Sequence, residues 1–159
     1  MTDFVTDDLV RTIVALTEAT EKLHKLAYTD ALTGIPNRRC VEERTDGRGG
    51  YFVLADLDGF ILAQDGHPDG HKYGDLILMD FACFLLQITR HGGDRASDRV
   101  AGRLGGDEFV VWCPSAQGAE RICNAIRQWV SEDGNVSASA GIGSTMQEAD
   151  AALYLDKTQ

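Results

Sequence analysis

Apolar and small positions between residues 6 and 28 recur in alternating steps of four and three, at Leu9, Ile13, Leu16, Thr20, Leu23 and Ala27. That spacing is the seam of a coiled-coil helix. It predicts a helix that either pairs with a second copy or packs on its own domain. Gly34 and Pro36 then break the pattern, because the residue before a proline is pushed towards extended geometry. A short helix starts at Arg38 and gives way to a flexible loop, Thr45-Asp46-Gly47-Arg48-Gly49-Gly50. Tyr51 to Leu57 is an apolar run ending in acid, which predicts a central strand buried on both faces.

Asp65 to His71 reads as a loop. From Lys72 to about Arg90, Leu76, Met79, Phe81, Ala82, Phe84, Leu85 and Ile88 make a broad helical apolar face. A polar connection, His91 to Ser97, precedes two strand-like runs, Asp98 to Leu104 and Glu108 to Cys113. Gly105-Gly106-Asp107 between them predicts a tight hairpin turn. Ala116 to Val130 has the stripe Ala119, Ile122, Ile126 and Val130 of an amphipathic helix. Val136, Ala138, Ala140 and Ile142 alternate within a strand from Asn135 to Gly143, and Met146 to Lys157 closes as a helix. The order predicts an α+β fold, a mostly antiparallel sheet flanked by helices, behind an N-terminal helix.

Bulk composition narrows the function classes. A chain of 159 residues suits one domain with a workable core. Its net charge of −10 argues against bulk nucleic-acid or membrane-surface binding. A nucleotide carried by a divalent cation remains compatible with that charge. No apolar run is long enough to cross a bilayer, and a cytoplasmic protein is expected. Cys40, Cys83, Cys113 and Cys123 form no C-x-x-C pair and read as buried thiols in a reducing compartment. His67 and His71 are four apart but straddle Pro68 and Gly70, so they lack the common helix face a metal pair needs.

The candidate chemistry lies in carboxylates. Asp107 and Glu108 sit at the glycine turn, and Asp56 and Asp58 end the apolar strand. At the turn, the residues alone allow a solvated acidic hairpin or a Mg²⁺ site with room for a phosphate beside bare backbone. At the strand end they allow turn caps or catalytic acids. Asp75 lies near the start of the long helix, where a carboxylate also complements the helix dipole.

Six segments in order resemble the GGDEF family of diguanylate cyclases. They are Asp30-x-Leu32-Thr33-Gly34-x-x-Asn37-Arg38-Arg39, Asp56-x-Asp58-x-Phe60, Gly70-His71-x-x-Gly74-Asp75-x-x-Leu78, Arg103-Leu104-Gly105-Gly106-Asp107-Glu108-Phe109, Ser139-Ala140-Gly141-Ile142, and Ala149-Asp150-x-Ala152-Leu153-Tyr154-x-x-Lys157. The resemblance divides the chain into an N-terminal signalling, coiled-coil-like helix (1–29) and a GGDEF domain (30–159), related to the palm of polymerases and nucleotide cyclases. It implies that two domains meet as a homodimer, each holding one GTP, and form cyclic di-GMP and two pyrophosphates. Asp56, Asp107 and the carbonyl of Leu57 would bind Mg²⁺ (or Mn²⁺). Glu108 would assist at the metal or the attacking hydroxyl. Gly105 and Gly106 would admit the GTP, with Phe60, Ile61, Gln64 and Asp75 along the nucleotide and Lys157 at its phosphates.

An Asp acceptor pair matches the adjacent N1–H and N2–H₂ donors of guanine, so Asp75 also speaks against an ATP-using cyclase. The sequence departs from the family at Ile61, where a lysine is usual, and at Gln64, where an asparagine is usual; the family's late arginine would fall beyond Gln159. These departures motivate an alternative, a catalytically weak or inactive module that binds GTP or cyclic di-GMP as a receptor. Arg95-Ala96-Ser97-Asp98 has the pattern of the family's inhibitory product site, or of a surface turn with a local ion pair.

Overall fold

A computed structural model of the chain describes residues 2–90 and 98–158, with side chains from Asp8 onward. The helices are α1 (Thr2–Tyr28), α2 (Arg38–Thr45), α3 (Phe60–Gly66), α4 (Gly70–Arg90), α5 (Ala116–Arg127) and α6 (Met146–Lys157). The strands are β1 (Tyr51–Asp58), β2 (Val100–Gly105), β3 (Glu108–Cys113) and β4 (Ser137–Gly143). They form one sheet in the order β2-β3-β1-β4, every neighbour antiparallel. β1 is interior, as its apolar run predicts. The connection at His91–Ser97, including Arg95, lies outside the described residues.

Strand alternation divides the core between two sheet faces. Val53, Ala55 and Leu57 of β1 point to α4 and α5, where Phe81, Phe109 and Trp129 meet edge to face. Leu54, Val110 and Trp112 point the other way, to Val41 of α2 and to Ala149 and Leu153 of α6. Two glycines let α6 lie unusually close to β4. A Cβ on Gly141 would stand 2.1 Å from the Leu153 amide nitrogen, and one on Gly143 2.3 Å from that of Ala149.

Several sequence expectations are corrected. Asp65 and Gly66 lie in α3, a short helix rather than a loop, and α4 already includes Gly70 and His71. In α4 the inward residues near the start are Ile77 and Leu78, while Leu76 is exposed. The segment is apolar on nearly every side there, so periodicity could not choose the face. α5 stops at Arg127, leaving Val130 exposed, because the chain turns to bring Trp129 against Phe81. Of the cysteines only Cys113 and Cys123 are buried; Cys83 is exposed.

Among the described side chains, the body of the N-terminal helix does not pack on its own domain. Its side chains from Asp8 to Leu26 are exposed, including every leucine and valine of that stretch. Only its end is fastened: Asn37 Nδ2 donates to the carbonyl of Ala27 (2.9 Å), and the Asn37 amide to that of Tyr28 (3.0 Å). The same Asn37 caps α2 by accepting from the Cys40 amide, a role for which asparagine is well suited.

Candidate functional site

Asp56, Asp58 and Glu108 gather on one face of the sheet. Asp56 stands directly opposite Glu108 on β3 and Ser139 on β4. Asp58, two residues on, shares the face of Asp56 and accepts a hydrogen bond from Ser139 Oγ (2.7 Å). β1 therefore continues through both acids. Like charges directly opposite across a ladder cost stability on their own. For Asp56, burial above all, then the nearby charges of Asp107 and Asp58, raise its pKa, against the opposing hydrogen bond and charge of Lys157. Lys157, from the last turn of α6, places Nζ 2.5 Å from Asp56 Oδ1.

Local geometry explains how the turn reaches this cluster. Gly105 and Gly106 have φ of 146° and 53°, backbone that L side chains rarely adopt, and nothing lies within 4 Å of either missing Cβ. The hairpin ladder slips between Arg103 and Gly105, which frees the turn from strict pairing. Arg103, which sequence reasoning left without a role, fixes it. Its Nε and Nη2 donate to the Gly106 carbonyl (3.0 and 2.6 Å), and its Nη1 pairs with Asp30 Oδ1 (3.0 Å). Asp30 in turn accepts from the amide and hydroxyl of Thr33. The end of α1, its linker and the Gly106–Asp107 turn are thus one connected unit. A lone arginine in the strand Val100-Ala101-Gly102-Arg103-Leu104 was the available signal.

Burial is the largest single influence on Asp30 and pushes its pKa up, but the Thr33 and Arg103 hydrogen bonds together outweigh it and the net shift is down. A carboxylate with a lowered folded pKa stabilises above its unfolded value, near 3.9, and that stabilisation fades as pH falls through the folded value. A double-mutant cycle of Asp30→Asn and Arg103→Leu should give a coupling of about 1–2 kcal/mol at pH 7. In urea melts at stepped pH, that coupling should stay constant at neutral pH and shrink below about pH 4.

A second group assembles where α3 meets α4. Gln64 Nε2 lies 2.7 Å from His71 Nδ1, and Asp75 is one turn after His71 on α4, exposed. Gln64 therefore reaches the helix start that carries Asp75. Phe60 is buried against α4, whereas Ile61 is 66% exposed. His67 caps α3, stacks on Tyr73 and accepts from the Asp69 amide, so the two histidines are engaged separately and form no metal pair. Leu57 is in the core, leaving only its backbone for a ligand. Asp98 is half-buried just before β2. On the other side of Glu108, Arg38 and Asp150 line a groove of about 260 Å³.

Among the described residues no group of three or more His, Cys, Asp or Glu side chains is placed to hold a metal ion. The open carboxylate set suits Mg²⁺, which retains waters and is held by one or two carboxylates together with substrate phosphates.

Comparison with known proteins bears on the family and the fold. The family described as "Diguanylate cyclase, GGDEF domain" matches residues 27–159. The bifunctional diguanylate cyclase/cyclic di-GMP phosphodiesterase MucR of Pseudomonas aeruginosa is 34% identical over 91% of this chain and 24% of its own length. Diguanylate cyclase DgcP of Escherichia coli is 39% identical over 60% of this chain and 28% of its own. The chain therefore spans less than a third of either relative. Among solved structures, diguanylate cyclase SiaD of P. aeruginosa, in complex with its activator SiaC, superposes with a TM-score of 0.65 at 26% identity, covering 98% of this chain and 68% of that one. A microbial GGDEF domain with cyclic di-GMP shares the fold at a TM-score of 0.68 and 23% identity, over 86% and 94% of the two chains.

Proposed function

The chain belongs to the GGDEF-domain diguanylate cyclase family, and from that premise we propose that it condenses two GTP into cyclic di-GMP and two pyrophosphates within a dimer of domains. The observation that carries this is the carboxylate face: Asp56 opposite Glu108, with Asp58 on the same face and the charge of Asp107 within reach of Asp56. So dense a cluster of acids is costly without a cation and useful with one.

Asp56 and Asp107, with the carbonyl of Leu57, hold Mg²⁺ or Mn²⁺. When bound, such ions neutralise phosphate charge and acidify an attacking hydroxyl. Glu108, exposed at the start of β3, lies where it can accept the proton of the 3′-hydroxyl or support the metal. Gly105 and Gly106 present open backbone to the nucleotide. Gln64 and Asp75 read guanine, with Asp75 accepting from its N1–H and N2–H₂ donors. Lys157 serves the phosphates, and Phe60 and Ile61 form the first turn of α3 beside them. Phosphoryl transfer needs positioning and charge stabilisation more than covalent chemistry, which matches a site on interior β1.

Residues 1–29 act as a signalling helix that brings two domains (30–159) together. Leu9, Ile13, Leu16 and Leu23 are exposed on it, and such a seam is stable only when paired. Arg95-Ala96-Ser97-Asp98 carries the pattern of the family's inhibitory product site, with a surface turn as the alternative reading. A receptor function for GTP or cyclic di-GMP is the second reading, favoured by the exposed Ile61 where the family has a lysine.

Incubation with GTP and Mg²⁺ at two protein concentrations separates the readings. A cyclase gives cyclic di-GMP with specific activity rising several-fold on dilution reversal, as dimers form. Tight GTP binding with no product at the higher concentration would establish the receptor instead.

A further inference from the structure

Lys157 is already paired with another residue of the proposed site. Its ammonium contacts Asp56 at 2.5 Å, and the Asp56 side chain is only 16% exposed. The Lys157 side chain is itself 36% exposed, but the turn that carries it is held in place. The preceding residue, Asp156, pairs with Arg127 Nη2 through one oxygen (2.8 Å) and accepts from the Ala140 amide through the other (3.0 Å). That clamp ties the last turn of α6 to α5 and β4. Gly141 and Gly143 bring the helix close enough to the sheet for a lysine to reach β1. The ammonium is therefore brought to Asp56, a carboxylate that also feels the negative charges of Asp107 and Asp58.

We propose that Lys157 is an internal counter-ion, which occupies Asp56 in the ligand-free protein in place of a divalent cation and passes to the nucleotide phosphates when metal and nucleotide bind together. The inference rests on the metal role of Asp56 given above. A cation arriving alone must break an ion pair and then sit beside a displaced ammonium. A nucleotide arriving alone takes the ammonium and leaves Asp56 unpaired among acids. Arriving together, each supplies what the other removes. Metal and nucleotide should therefore bind cooperatively, and by linkage each tightens the other by the same factor. Cooperativity of this origin keeps the site from filling with metal before substrate is present.

Mn²⁺ titration of the full chain by electron paramagnetic resonance tests this, with and without 3′-deoxy-GTP, which lacks the attacking hydroxyl. Lys157→Met should bind Mn²⁺ about tenfold more tightly than wild type without nucleotide, and should lose that advantage once nucleotide is added. Lys157→Arg should keep the wild-type pattern. Nucleotide-free affinity in Lys157→Met equal to or weaker than wild type, while Asp56→Asn still removes binding, overturns the counter-ion role and leaves the metal assignment standing. Mn²⁺ affinity unchanged by Asp56→Asn, with and without nucleotide, overturns the metal assignment itself. Should Lys157→Met unfold, the wild-type Lys157 Nζ nitrogen resonance decides. It should move when Mg²⁺ and 3′-deoxy-GTP are added together and hold at the same Mg²⁺ alone; a resonance that ignores the joint addition overturns the proposal.

Discussion

Asp107→Asn should lower cyclic di-GMP formation by about three orders of magnitude or more and leave the fold intact. The size follows from what a bound metal contributes, several kcal/mol of charge stabilisation at the transition state, each ~1.4 kcal/mol being a factor of ten in rate. The fold should survive because Asp107 sits in the hairpin turn outside the core, and because its charge works against Asp56. Removing it relieves a repulsion. Product chromatography after GTP incubation, beside a thermal melt, measures both halves of the expectation. Turnover within tenfold of wild type would place the metal on other residues, and the proposed roles of Asp56 and Asp107 would fail with it.

Gly141→Ala should cost about 3 kcal/mol or more in stability. The added methyl would meet the backbone of α6, Leu153 N at 2.1 Å and Ala149 O at 2.4 Å. Backbone cannot rotate out of the way as a side chain can, so the whole helix must lift from β4. For a chain of this size that corresponds to a melting point lower by about 10 °C. Lifting α6 also carries Lys157 away from Asp56, so phosphate binding should weaken in the protein that remains folded. Gly49→Ala is the matched control: its Cβ meets nothing within 4 Å, and it should leave the melt almost unchanged. Equal melting of the two variants would mean that α6 can shift freely on the sheet.

Much of this was legible in the chain. The apolar run into Asp56 and Asp58 announced an interior strand because both faces of β1 are covered, and the glycines of the hairpin announced a turn that needs positive φ. The family motifs carried the carboxylates, and the sheet register sets Asp56 opposite Glu108, while Asp75 is carried separately on α4. What sequence could not supply were partners distant in the chain. Lys157 and Asp56 are 101 positions apart, and Arg103 and Asp30 are 73 apart; each pair exists only through the packing of helices on the sheet. α3 was invisible for a local reason. At seven residues, with Ile61 and Leu62 exposed and only Phe60 buried, it has no hydrophobic period to read. The same lack of contrast hid the true inner face of α4. Along α1 the side chains from Asp8 to Leu26 lie exposed, and the described contacts to the rest of the chain are made at its last turn.

Asp56 and the residues proposed to read guanine sit on different kinds of element, with a consequence for how such a protein can change over generations. Asp56 is carried on an interior strand, bonded to a neighbour on each side, where almost any replacement disturbs the sheet. Ile61 and Asp75 project from the exposed sides of α3 and α4, where substitution costs the fold little. Asp56 is thus anchored where drift is expensive, while Asp107, Glu108 and the proposed guanine readers are displayed where drift costs the fold little. A lineage built this way can retune which nucleotide it accepts, or fall silent as an enzyme and persist as a reader, without first having to pass through an unstable protein. Ile61 and Gln64 are the kind of sequence change that this freedom permits.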